Sequence, residues 1–342
     1  MRSRTRGLSR YLMVVIILAS GMTMGFQSAY VSREFDPPLF INLDFPSAIT
    51  IPSNFPEPQG EFTSMAIPLK RAGRLLLIEA VIDGIEGNLI FDTGATGLVL
   101  NRTYFRNRVL MEGEHSMGIT GSAGNLGCVI AEKLQIGDLY YENVKADVSE
   151  LGHIENRRGI KVIGLLGFGM IRELETVIDV AHNELYLYRI DRRGERVAET
   201  ESSLKPDCIQ KIDPWYPVLV LKGKVGGKSL SFCLDTGAET NAITIHAPKD
   251  ALNTIQITRR SDLQGAGNGK SEVLYGTMND FQFEGYPMKG METIIVNLDP
   301  LNEAYGTKID GMLGFNFLEQ GIVTINLVKK QFGIRYHNTN ES

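Results

Sequence analysis

The tetrapeptide Asp-Thr-Gly-Ala occurs twice in this 342-residue chain, as Asp92-Thr93-Gly94-Ala95 and as Asp235-Thr236-Gly237-Ala238, each time closing an apolar run. The first copy follows Asn88-Leu89-Ile90-Phe91 and the second follows Phe232-Cys233-Leu234. A strand that ends this way puts a carboxylate at a sharp turn that glycine permits, where it can face a cleft instead of a core. Two such turns can bring two carboxylates together. Neighbouring carboxylates cannot both ionise easily, so they share a proton, and one acts as base while the other acts as acid.

The two copies belong to a longer repeat. The aspartates are 143 positions apart, and the turn dipeptides Asp83-Gly84 and Gly226-Gly227 keep that offset, as do Ala123-Gly124-Asn125 and Ala266-Gly267-Asn268. Farther on the offset becomes 147. Leu134-Gln135-Ile136 then matches Phe281-Gln282-Phe283, Leu165-Leu166-Gly167 matches Met312-Leu313-Gly314, and Ile178-Asp179-Val180 matches Ile325-Asn326-Leu327. One four-residue insertion accounts for the drift, so the chain reads as two homologous lobes of roughly 130 residues each.

Each lobe reads as strand. Residues 75–82 and 218–225 lead into the turn dipeptides, and Glu184–Arg189 and Gln331–Tyr336 alternate with the two-residue period of a half-buried strand. Helical signal is confined to short stretches near 169–174 and 316–320. The expected fold class is all-β, with few short helices.

Domain limits follow from composition. Arg2, Arg4, Arg6 and Arg10 precede an apolar run over residues 11–26, which reads as a signal peptide or membrane anchor spanning 1–29. Six prolines between Phe35 and Gly60 mark residues 30–60 as a linker or lead-in. The lobes then occupy 61–195 and 205–338, separated by a charged stretch around Asp191-Arg192-Arg193. Export to the periplasm, secretion, or anchoring outside the cytoplasm is the expected localisation, with membrane association through residues 11–26 in the anchored case. Glu132, Lys133, Arg157, Arg158 and the charged stretch are expected to be solvated loops.

Two Asp-Thr-Gly-Ala motifs, each followed about 75 residues later by an apolar-apolar-Gly motif, resemble the aspartic peptidases. Alanine after the glycine is similar to the retropepsin branch, whereas two lobes in one chain resemble the pepsin plan. The resemblance covers residues 62–336 and implies two acid-protease β-barrel lobes with a cleft between them. It implies that Asp92 and Asp235 are the catalytic pair, activating a water for direct attack on a peptide carbonyl by general acid–base catalysis. Thr93 and Thr236 would cross-link the two loops, Gly94 and Gly237 would offer N–H groups to the carboxylates, and Ala95 and Ala238 complete the loops. Leu166, Gly167, Leu313 and Gly314 would pack behind them.

The family's flap hairpins fall on Gly121, Ala123, Gly124 and Asn125 in one lobe and on Gly265, Ala266, Gly267 and Asn268 in the other. A flap-tip tyrosine of the pepsin kind is missing, and one or both hairpins could act. The partner is a peptide or protein substrate in extended conformation, for which a monomer suffices. Alanine at 95 and 238 removes a hydroxyl partner from each carboxylate, which should raise the upper pKa and move the optimum toward neutral pH.

Other chemistries find little support. Net charge is −5 and no basic stripe interleaves with aromatics, which argues against nucleic acid. The segment Gly265-Ala266-Gly267-Asn268-Gly269-Lys270-Ser271 lacks the glycine at 264 that a phosphate loop needs. The five histidines show no metal-ligand spacing, so neither metal nor cofactor is expected. Cys128, Cys208 and Cys233 give no disulfide framework, although a Cys128–Cys208 bridge is compatible with export. The alternative in another class is a catalytically silent two-lobe module of the same fold that binds peptides or envelope components.

Overall fold

A computed structural model of the chain describes residues 12–13, 55–108, 116–118, 121–124, 127–198, 205–213, 218–264 and 270–337, with backbone alone at 12–13, 116–118, 121–124, 261–264, 270–272 and 304–305. The molecule is built from two lobes of strands and short helices. In the first lobe a seven-stranded sheet runs in the order Lys70–Ala72, Leu75–Ile82, Ile85–Asp92, Val162–Gly167, Leu98–Asn101, Leu139–Ser149, Cys128–Ile136. Val81 and Ile82 pair with Gln135 and Leu134, which closes six of these strands into a barrel. The second lobe repeats the order in a nine-stranded sheet, where Phe281 and Gln282 make the matching contact with Val225 and Lys224 from a hairpin interrupted at residues 279–280 and 289–290.

The turn dipeptides explain the hairpins. Asp83 and Gly84 have φ of 49° and 82°, and Gly226 and Gly227 have 56° and 71°. Positive φ at both central residues matches the right-handed twist of the flanking strands. The segment Leu75–Ile78 is buried on both faces, as its continuous apolar sequence requires inside a barrel wall, and from Glu79 onward one face turns to solvent.

A third sheet joins the lobes. Three strands from each contribute, in the order Cys208–Lys211, Gln331–Tyr336, Gly321–Asn326, Leu174–Asp179, Glu184–Arg189, Ser64–Pro68. At its seam Val177 pairs with Thr324. These two are equivalent positions of the repeat, so the pseudo-twofold axis passes between them. One apolar core runs through both lobes, from Leu76, Phe91 and Leu166 to Phe232, Leu313 and Ile325.

Several expectations need correction. Arg157 and Arg158 end a helix, Gly152–Arg158, whose repeat counterpart is Asp299–Tyr305. Seven residues show too little of a 3.6-residue period to stand out in sequence. Glu132 and Lys133 lie on the exposed face of strand Cys128–Ile136, not in a loop. Arg196, in the charged stretch between lobes, donates to the buried Glu175 at 2.6 Å, and Asn326 donates to the same carboxylate at 2.8 Å. The short helices after the apolar-apolar-Gly motifs are Phe168–Ile171 and Phe315–Leu318, each starting earlier than expected.

Candidate active site

Each Asp-Thr-Gly-Ala leaves a buried strand and turns at once. Strand Ile85–Asp92 runs parallel to Val162–Gly167, with Phe91 opposite Leu166 and Asp92 opposite Gly167. In the second lobe Leu234 lies opposite Leu313, whose carbonyl accepts from the Asp235 N–H at 2.9 Å. The glycines that follow let the chains touch. A Cβ on Gly167 would stand 2.6 Å from the Ala95 carbonyl oxygen, and one on Gly314 would stand 2.6 Å from that of Ala238.

The two loops meet across the axis. Thr93 N–H donates to Thr236 Oγ1 at 2.9 Å, and Thr236 N–H donates to Thr93 Oγ1 at 3.0 Å. Each hydroxyl then donates onward, Thr93 to the Leu234 carbonyl at 2.8 Å and Thr236 to the Phe91 carbonyl at 2.7 Å. Threonine suits this place because its hydroxyl accepts and donates at once. All four bonds are buried, so each is costly to lose.

This cross-link presses the aspartates together. Both Asp92 and Asp235 are 0% exposed. Oδ1 of each accepts from the N–H two residues on, Gly94 for Asp92 and Gly237 for Asp235, both at 2.9 Å. Oδ2 of each is buried with no hydrogen-bond partner among the described residues. A Cβ on Gly94 would lie 2.7 Å from the Asp235 carboxyl carbon, and one on Gly237 would lie 2.7 Å from that of Asp92. Only glycine fits at either position.

Burial pushes both carboxyls up. Asp92 rises to about 7, with burial the main cause and the Asp235, Gly94 and Ala95 contacts opposing it. Asp235 rises well above its ordinary value, again through burial first and then through the charge of the neighbouring Asp92. The pair therefore holds at least one proton into the neutral range, and that proton belongs to the pair as a whole. The direction matches the sequence expectation, but desolvation is the leading cause. The alanines at 95 and 238 are themselves fully buried.

The surroundings are less symmetric than the loops. Four residues past Asp235, Glu239 is 4% exposed and is held by the Arg158 guanidinium and by the Arg74 N–H at 3.1 Å, both from the first lobe. At the matching place in the first lobe stands Thr96. Arg158 and Glu239 are 81 positions apart, so no local sequence signal joins them.

Of the flap candidates, Gly121, Ala123 and Gly124 lie on strand Gly121–Gly124, which pairs with Ser116–Gly118; that strand also pairs with Leu12–Met13. Asn125, Gly265, Ala266, Gly267 and Asn268 lie outside the described residues, although Gln264 pairs with Lys270 at the head of a long hairpin that brackets the last four. None of the three cysteines is in a disulfide. Among the described residues no cluster of His, Cys, Asp and Glu could hold a metal ion, and no helix is long and apolar enough to cross a membrane.

A family model described as aspartyl protease matches residues 78–169 and 221–317, more than half of the chain, with one Asp-Thr-Gly-Ala in each segment. Among solved structures the chain is similar to the crystal structure of aspartic proteinase from Irpex lacteus, with a TM-score of 0.50 and 12% identity over 82% of this chain and 99% of that one. At that identity the likeness is one of fold: two β-lobes with a cleft between them. No curated protein matches the chain.

Proposed function

Because the chain belongs to the aspartyl protease family, we propose that it is an aspartic endopeptidase in which Asp92 and Asp235 share a proton and activate water against a peptide carbonyl. The observation that carries this reading is the pair of buried carboxyls on mirrored loops, each with Oδ1 tied to a backbone N–H and Oδ2 left without a partner. A water between the two Oδ2 atoms would give a proton to the ionised member while the protonated member donates to the carbonyl oxygen. Peptide nitrogen would then collect a proton as the tetrahedral intermediate collapses. No covalent enzyme intermediate is needed.

The threonine cross-link supplies orientation, since it fixes the two carboxyls relative to one another before substrate arrives. The substrate is a peptide in extended form, held by main-chain hydrogen bonds along the cleft. The N-terminal sequence supports export of this activity, which the mass of the mature N-terminus would test.

Cleavage of an unfolded protein by the full chain, from acid to neutral pH, tests the reading. Wild type should cut, and Asp92→Asn and Asp235→Asn should each lower the rate roughly 10²- to 10⁴-fold. A wild-type chain that is folded, binds peptides and never cuts would favour a silent binding module.

A further inference from the structure

The two motif loops are held from behind in different ways. In the first lobe the Gly167 N–H donates to the Gly97 carbonyl at 3.0 Å, backbone to backbone. In the second lobe the matching Gly314 N–H donates at 2.9 Å to a side chain, Oδ1 of Asn241. At the position matching Asn241 the first lobe carries Leu98, which packs into the apolar core. A backbone acceptor thus serves one loop and a side-chain acceptor the other.

Asn241 opens the strand Asn241–Thr244, which lies between Met291–Val296 and Gly311–Leu313. Its amide reaches both neighbours, since Oδ1 accepts from Gly314 and Nδ2 donates to the Glu292 carbonyl at 3.1 Å. One partner offers only a hydrogen and the other only lone pairs, so the amide has a single orientation. The residue is fully buried, and neither partner could turn to water if the amide were removed. Beyond it, Thr240 Oγ1 donates to the same Glu292 carbonyl at 3.2 Å, and the Glu292 carboxylate pairs with Arg74 of the first lobe.

The Leu313–Gly314 peptide is gripped on both sides by this arrangement. Its N–H donates to Asn241, and its carbonyl accepts from the Asp235 N–H at 2.9 Å. A peptide unit is planar, so tilting its N–H tilts its carbonyl as well. Resting on the peptidase reading, we propose that Asn241 is a positioning residue for Asp235, acting through the Leu313–Gly314 peptide and needed in the second lobe alone. The first loop keeps its acceptor whatever side chain stands at 98, because that acceptor is a backbone carbonyl. The second loop depends on one amide, and a dyad tolerates little displacement of either carboxyl.

Asn241→Leu in the full chain removes both bonds and introduces the side chain that the first lobe uses. On a labelled unfolded protein kcat should fall about 10- to 100-fold, with KM within about twofold of wild type. In a carbon-13 titration of the aspartate carboxyls, the upper midpoint of the pair should drop by about one unit as the loosened loop admits water. A merely structural residue would lower Tm and leave both readouts in place for the folded protein. Asn241→Ala, which leaves space for water, gives the same readouts should the leucine side chain prevent folding. Asn241→Asp, assayed in acid where a buried carboxyl is protonated, can again accept from Gly314 and donate to Glu292, so it should recover most of kcat. Wild-type kcat and unmoved midpoints in Asn241→Leu would overturn the proposal, the Gly314 N–H having turned to the Thr240 carbonyl, and would leave the peptidase reading standing. A loss that Asn241→Asp does not recover in acid also overturns it. A wild type that never cuts overturns the peptidase reading, and the carboxyl midpoints then decide the proposal alone, a drop upholding it and no change overturning it.

Discussion

The two lobes place their aspartates with the same contacts and support them with different cores. The first closes its barrel with the unbroken hairpin strands Cys128–Ile136 and Leu139–Ser149, and the second makes the same closing contact with strands that are each interrupted. The second fills its interior with Phe232, Phe281, Phe283, Phe317 and Phe332, among which four ring pairs pack edge to face at 5.5 to 6.2 Å. Their repeat counterparts in the first lobe are Leu89, Leu134, Ile136, Met170 and Leu185, all buried. Aromatic edges bring bulk and directional contacts to the lobe whose hairpin strands are interrupted, whereas the lobe with continuous strands carries aliphatic side chains at the same positions. The lesson lies in what stays equal. Thr93 and Thr236 reach identical partners across the axis, so the carboxyl geometry is set by the contact between lobes and not by either core.

That comparison breaks most visibly at the glycines. Gly94→Ala and Gly237→Ala should each lower kcat by at least about 100-fold, because either methyl would push the opposite carboxyl out of place. Steady-state kinetics on the two variants should give losses of similar size. A loss in one alone would show that the lobes are not equivalent at the dyad.

Stability offers the next test, and its sign is fixed by the raised carboxyls. A carboxyl that titrates near 4 when unfolded and at about 7 in the native state binds more protons when folded across that interval. Its contribution is complete below the unfolded value and is lost as pH rises through the native one. Asp92→Asn should therefore stabilise the fold at neutral pH by roughly 2–4 kcal/mol and Asp235→Asn should act in the same direction, with both gains vanishing in acid. Melting curves across pH check this. Activity should likewise persist at neutral pH, and a rate profile confined to strong acid would contradict the burial account.

The asymmetric feature gives smaller effects. Glu239→Gln leaves Arg158 without its ion-pair partner and should cost about 2 kcal/mol, seen as a lower denaturant midpoint. Thr96→Ala, the matching change in the first lobe, should fall within about 0.5 kcal/mol of wild type. Equal losses would remove the distinction between the half-sites.

Much of this arrangement was legible in the sequence, for physical reasons. Glycine, aspartate and threonine at a strand end leave few conformations, and the turn dipeptides need the positive φ they adopt. Strands Leu75–Ile82, Glu184–Arg189 and Gln331–Tyr336 appear where the apolar pattern put them. What stayed hidden depends on distant partners. The six-stranded sheet between the lobes needs Leu174–Asp179 beside Gly321–Asn326, and no pairing rule acts over that separation in sequence. Helix Gly152–Arg158 begins at glycine without a side-chain cap, so the usual start signal is missing. Its last residue nevertheless holds Glu239.

The central claim is that one proton is shared between two lobes, and a carbon-13 NMR titration of the aspartate carboxyls tests it most directly. In wild type the account predicts two carboxyls that titrate far above the ordinary aspartate range. Asp92→Asn should then shift the midpoint of Asp235, and Asp235→Asn that of Asp92. Two carboxyls that both titrate near pH 4, each indifferent to replacement of the other, would contradict it.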